Sequence, residues 1–146
     1  VALKGGDLEI RDSKIFGTAP WKEPVFQQSG FDDTGDAILI DCGYSSPMKI
    51  TISGDCLIKS TNNLPLRVFV PEGMQNLTDV TITGGTFEWP ENLTWEYDSF
   101  VPEGYRLDLS VSGGRATAKL VEAPVQAPAD PSEGAENTGE DGVGDA

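Results

Sequence analysis

Val80-Thr81-Ile82-Thr83-Gly84-Gly85-Thr86-Phe87 decides the reading of this chain, because its order of apolar, any, apolar, any, small, any, any, apolar occurs three times. The earlier copies are Leu8-Glu9-Ile10-Arg11-Asp12-Ser13-Lys14-Ile15 and Ile50-Thr51-Ile52-Ser53-Gly54-Asp55-Cys56-Leu57. Alternation puts two side chains of each copy on one strand face, and the small residue lets the backbone turn before the next apolar residue points inward. Each copy therefore predicts a short strand followed by a corner. The copies begin 42 and 30 residues apart, close to the spacing at which stacked units share a core that no unit closes alone.

The stretches between the copies carry a second kind of strand. Ala37-Ile38-Leu39-Ile40-Asp41-Cys42 is a short apolar run bounded by turn residues, which predicts a strand covered on both faces. Leu66-Arg67-Val68-Phe69-Val70 is rich in β-branched and aromatic residues. The order of copy, Ile38 strand, copy, Val68 strand, copy predicts a solenoid with two strands per coil. Gly5-Gly6-Asp7 marks a turn before the first copy, and residues 17–24 read as a loop steered by Pro20 and Pro24. Val25-Phe26 predicts a brief extended piece.

Beyond the third copy, residues 88–99 hold Trp89, Pro90, Trp95, Tyr97 and several acids without a period, which predicts a surface loop. Tyr105-Arg106-Leu107-Asp108-Leu109-Ser110-Val111-Ser112 then alternates strictly and meets Gly113-Gly114, ahead of Arg115-Ala116-Thr117-Ala118-Lys119-Leu120. Two strands joined by two glycines predict a hairpin, which would cap an open solenoid end. From Pro124 onward Pro, Ala, Gly, Glu and Asp dominate and no aromatic residue occurs. Such a segment cannot bury enough apolar surface to offset chain entropy, so residues 124–146 read as a disordered tail or linker behind a domain of residues 1–123.

Charge and composition narrow the function classes. The net charge is −14, and the segment from Val121 carries seven of the 24 acids and none of the ten Lys and Arg residues, hence half of that charge. A negative surface repels phosphate backbones and anionic lipids, which argues against nucleic acid and membrane partners and leaves neutral glycans, proteins or cations. No apolar run is long enough for a membrane helix and no leader is present, while the start at Val1 suggests a processed product or an excerpt. Histidine is absent, which removes the commonest acid/base group and transition-metal ligand. Cys42 and Cys56 are too few for a disulfide framework or a structural zinc site. They read as two separate buried thiols or as one disulfide between neighbouring coils.

The run from Val80 to Phe87, then Pro90, then Phe100-Val101-Pro102-Glu103-Gly104-Tyr105, then Gly113-Gly114, resembles the closing module of right-handed parallel β-helix (pectate-lyase-like) proteins on bacterial surfaces. In that family an "ITGGTF"-like strand is followed by a "YVPEGY"-like stretch and a final hairpin; Phe100 stands here where Tyr is usual. Gly35-Asp36-Ala37-Ile38 and Ile50-Thr51-Ile52-Ser53-Gly54 also resemble its coils. The likeness spans about residues 5 to 121. It implies an exported, repetitive, adhesin-like or fibre-like protein.

Three features could carry chemistry. Asp32, Asp33, Asp36 and Asp41 surround one turn and could offer carboxylate oxygens to Ca²⁺, although a solvated turn is also the ordinary home of Asp. Trp89, Trp95 and Tyr97, with acids at positions 88, 91 and 96, could form a platform that stacks on sugar rings, or could fold over the last coil and seal it. Trp21 has the same two readings, with packing the favoured one. Asn76-Leu77-Thr78 and Asn92-Leu93-Thr94 satisfy the N-glycosylation sequon.

The expected fold is thus an all-β, short right-handed parallel β-helix of about three coils closed by a C-terminal hairpin, with an antiparallel β-sandwich as the alternative. The expected role is a non-catalytic structural, glycan-binding or protein-binding segment of an extracellular surface protein. A virion or phage-fibre component and a fragment of a carbohydrate-active enzyme are the other classes.

Overall fold

The structure, a computed structural model, describes residues 1–23, 34–44 and 46–123. The extended piece expected at Val25-Phe26 and the tail expected from Pro124 lie outside the described residues. The chain is all-β. Its strands are β1 (Ala2–Leu3), β2 (Gly6–Arg11), β3 (Lys14–Gly17), β4 (Ile38–Asp41), β5 (Met48–Ser53), β6 (Leu57–Ser60), β7 (Leu66–Phe69), β8 (Thr78–Ile82), β9 (Thr86–Pro90), β10 (Tyr105–Ser112) and β11 (Arg115–Glu122). Short 3₁₀ turns occupy Cys42–Tyr44 and Asp98–Phe100.

Each strand from β4 to β9 pairs in parallel with the strand three before it. This gives parallel sheets β1-β4-β7, β2-β5-β8 and β3-β6-β9, the last extended by β11 and β10. The repeat therefore holds three strands, not the two expected from sequence. The chain resumes an extended course after each corner, so what reads as one copy is two strands meeting at an angle. Antiparallel pairing among the described residues is confined to β9-β11-β10, which excludes the antiparallel sandwich. β4 is buried at all four residues: Ile38, Leu39 and Ile40 as an apolar run covered on both faces requires, and Asp41 with them.

Register follows the repeated pattern up to each corner. Leu8, Ile50 and Val80 align across β2-β5-β8, and so do Ile10, Ile52 and Ile82. After the corner Ile15, Ile58 and Phe87 align across β3-β6-β9. The inward residue of the second copy is thus Ile58, wholly buried, and not the half-buried Leu57 that sequence alignment of the copies selects. The second corner, Gly54-Asp55-Cys56, holds one residue more than the first, and the buried Cys56 occupies the added inward place. Cys42 and Cys56 are separate buried thiols.

Burial of this ladder dominates the energetics. Each fully buried Ile or Phe contributes about 1.5–3 kcal/mol, whereas an exposed ion pair such as Arg11 to Glu9 contributes about 0–1 kcal/mol. The corners set how closely the repeats approach. Asp12 takes a left-handed conformation at φ 50°, one that Asp tolerates better than most residues, and Gly54 above it has φ 72°. Asp12 Oδ1 accepts the Asp55 amide at 2.8 Å, which links the first corner to the second. Gly84 completes the stack: a Cβ there would lie 2.5 Å from both the backbone N and O of Gly54.

The C-terminal hairpin is as expected from sequence. Ser112 pairs with Arg115, and Gly113 and Gly114 turn at φ 60° and 78°, the positive values a two-residue hairpin turn demands. Arg115 fastens it to the repeats: Nε donates to Glu88 Oε2 at 2.9 Å, Nη1 to Thr61 O at 2.9 Å and Nη2 to Ser60 O at 2.6 Å.

Gly84 does not need positive φ, so Gly84→Ala isolates the steric requirement of stacking. It is expected to lower the unfolding free energy by about 2–4 kcal/mol, read by denaturant titration. Unchanged stability would show that the corners are not in contact.

Candidate functional site

The aromatic candidates fall wholly within the described residues and the acidic turn only in part. The acidic turn is built around Asp36, because Asp32 and Asp33 lie outside them. Asp36 is buried, and both its carboxylate oxygens are engaged: Oδ1 accepts the Leu64 amide at 3.0 Å, and Oδ2 accepts Thr34 Oγ1 at 2.6 Å and Arg67 Nε at 2.9 Å. Arg67 also donates from Nη2 to Asn63 Oδ1 at 2.8 Å, while Asn63 Nδ2 donates to Thr34 O at 2.7 Å. Ser60 Oγ joins the cluster by accepting the Asn63 amide at 2.8 Å and donating to Gly35 O at 2.6 Å.

This network ties residues 34–36 to the turn between β6 and β7. A guanidinium already neutralises Asp36, so a cation there would meet like charge at hydrogen-bonding distance. No cluster of three or more metal-ligating side chains occurs among the described residues. Asp41 is fully buried on β4; its Oδ1 accepts the Gly43 amide at 2.8 Å, whereas Oδ2 is buried with no hydrogen-bond partner. Asp36 and Asp41 therefore serve the interior and do not line a solvated turn.

The aromatic candidates come together, but as packing. Trp89 is not in a loop: β9 runs on through Pro90, and its pairing with β11 places Trp89 opposite Ala116. Trp95 returns from the loop to lie at the centre of a cluster, with ring centroids 5.1 Å from Trp89, 5.2 Å from Phe87 and Tyr97, and 6.4 Å from Phe100. Both indoles are buried and both N–H donors are used, Trp95 Nε1 to Leu66 O at 2.8 Å and Trp89 Nε1 to Leu93 O at 3.0 Å. The bond to Leu66 pins the loop to β7, across the end of the last repeat. Sealing is the arrangement adopted, so Trp89 and Trp95 present no open stacking face. The half-buried Tyr97 remains at the rim. Burial, and after it the Asp98 carboxylate, raises its phenol above the ordinary tyrosine value. Trp21, expected to pack, is exposed instead.

Beside the cluster lies a cleft of about 730 Å³ that sequence reasoning missed. Residues 91–99 form one wall, with Glu91, Glu96 and Asp98 exposed along it, and Leu109 and Val111 of β10 form the other. The signal was present in the strict alternation of β10, whose apolar face runs past the end of the core that it helps to cover.

Comparison with family models, with curated proteins and with solved structures returns no match. No helix among the described residues is long and apolar enough to cross a membrane.

Because Trp95 fills the end of the core, Trp95→Ala is expected to cost about 3–5 kcal/mol of stability, measured by chemical denaturation. A stable variant with altered ligand binding would instead restore the platform reading.

Proposed function

We propose that this chain is the closing segment of a short right-handed parallel β-helix and that its role is architectural and non-catalytic. In this reading it is a rigid end-piece of an extracellular surface or fibre-like protein. The observation that carries the reading is the pairing of every strand from β4 to β9 with the strand three before it, in three separate parallel sheets. A chain that visits three sheets in rotation traces a coil, and the right hand is the one that nearly all parallel crossover connections take. The resemblance of residues 80–105 to β-helix closing modules points the same way.

The two ends of the stack support the assignment. At the C-terminal end the aromatic cluster and the hairpin cover the last repeat. At the other end Leu3, Leu8 and Ile15 are only half-buried, whereas their partners in the next repeat, Ile40, Ile50 and Ile58, are fully buried. The first repeat thus offers an apolar edge of the kind on which a further coil stacks. The buried polar side chains of the Asp36 network are engaged in joining segments of the stack, which is a structural use of polar groups.

An architectural spacer should tolerate a change in its own length. Ile38 pairs with Leu66, 28 residues on, so a second copy of residues 38–65 inserted after Pro65 supplies one additional coil. The expected product unfolds cooperatively, at a temperature no lower than the parent, and is longer by one strand spacing of ~4.8 Å. Loss of cooperative unfolding would overturn the stacked-coil reading.

A further inference from the structure

The last strand of the third sheet is finished on one side only. β10 is eight residues long, with β11 along one edge and no strand along the other among the described residues. In a two-residue hairpin the residues flanking the turn exchange both backbone bonds, and the pattern alternates from there. Ser112, Ser110 and Asp108 therefore bond to β11, while Leu107, Leu109 and Val111 turn their N–H and C=O groups to the open edge.

The side chains of that row are bare as well. Leu109 and Val111 are each 54 % exposed, although they continue the inner face of the sheet: Val111 pairs with Ala116, and Leu109 with Ala118. Natural edges are usually blunted by Lys, Pro or a bulge. Here Arg106 and Asp108 lie on the opposite face and pair with each other at 2.8 Å. Across the cleft stand Glu91, Glu96 and Asp98, none of which has a basic partner among the described residues.

We propose that the open edge of β10 and this acidic cleft form a docking site for an extended cationic segment of a partner protein, with Lys or Arg at alternate positions. A bare edge selects extended backbone, which it binds by adding a strand. Alternation then delivers every second side chain to the inner face. Lys and Arg stems are apolar enough to cover Leu109 and Val111, and their charged heads extend beyond the stems to the carboxylates on the facing wall. The Tyr97 ring at the rim adds a face for a cation. A purely apolar strand would desolvate the carboxylates without pairing them. A second copy of this chain would bring its own net charge of −14 against the same acids. The site extends the molecule's role beyond architecture to recognition.

The test titrates the full 146-residue chain with a labelled, end-blocked peptide of alternating Arg and Thr, read by fluorescence anisotropy at physiological salt. A peptide of the same composition with its Arg residues in one block is the comparator. Leu109→Pro removes an outward N–H and fills the docking line, at an edge position where Pro is tolerated. Glu96→Gln with Asp98→Asn removes charge from the facing wall. The expected result is saturable binding of the alternating peptide, weakened by about tenfold or more in the block peptide and in either variant. If Leu109→Pro lowers the melting temperature, Leu109→Lys keeps the strand, places like charge in the row and carries the same expectation. Absence of saturable binding overturns the proposal. So does binding that survives the Leu109 variants, which would be charge attraction elsewhere on the chain. A dimer in sedimentation that Leu109→Pro dissociates would overturn it too, by making a second copy the occupant.

Discussion

The structure depends on how closely one backbone turn can lie against the next. Strands in a parallel sheet sit about 4.8 Å apart, and three sheets meeting at corners must keep that spacing through the corners as well. At the corner between β8 and β9 this leaves no room for a side chain, since a Cβ on Gly84 would lie 2.5 Å from the Gly54 backbone. At the first corner, between β2 and β3, Asp12 stands in place of a glycine, and its Oδ1 accepts the Asp55 amide of the second corner. With the corners stacked, Ile10, Ile52 and Ile82 fall into line, and so do Ile15, Ile58 and Phe87. The apolar ladder that stabilises the fold is thus a consequence of corner geometry.

A stack of this kind has to end, and the chain ends it with two devices. The third sheet is continued by strands of opposite direction, so the backbone groups of β9 are paired with β11. The interior is then filled by Trp95 and its aromatic neighbours, held through a hydrogen bond to Leu66 at 2.8 Å. Arg115 joins both devices to the repeats by reaching Glu88, Ser60 and Thr61. Covering the core this way leaves β10 overhanging it, which is why an apolar row and an open edge occur at the same place.

Much of this was legible in the sequence because periodic features survive folding unchanged. The thrice-repeated pattern predicts the strands β2, β5 and β8 and their mutual register. The unbroken run at Ile38 to Ile40 predicts a strand covered on both sides, and strict alternation around Gly113-Gly114 predicts the hairpin. The third strand of each repeat was not legible, because Lys14 to Gly17 is too short to show a period. The one-residue slip to Ile58 was hidden because Cys56 and Leu57 look as apolar as the true inward residue. Trp89 was read into a loop because residues 88–99 show no period, yet β9 runs on through Trp89 to Pro90. The candidate site was less legible than the fold. Asp36 has the look of a cation ligand in a Gly-Asp turn, but its fate is set by Arg67, 31 residues away. Likewise, whether Trp95 is a platform or a plug depends on where a loop without a period returns, and local pattern does not encode that.

The most direct test of the stacked architecture is a methyl-resolved NMR contact map of the isoleucines. The expected result is contacts linking Ile10 to Ile52 and Ile52 to Ile82, with Ile15 in contact with Ile58 and no close Hα–Hα pairs between β2, β5 and β8. Close Hα–Hα pairs among those three strands, the mark of antiparallel neighbours, would contradict it.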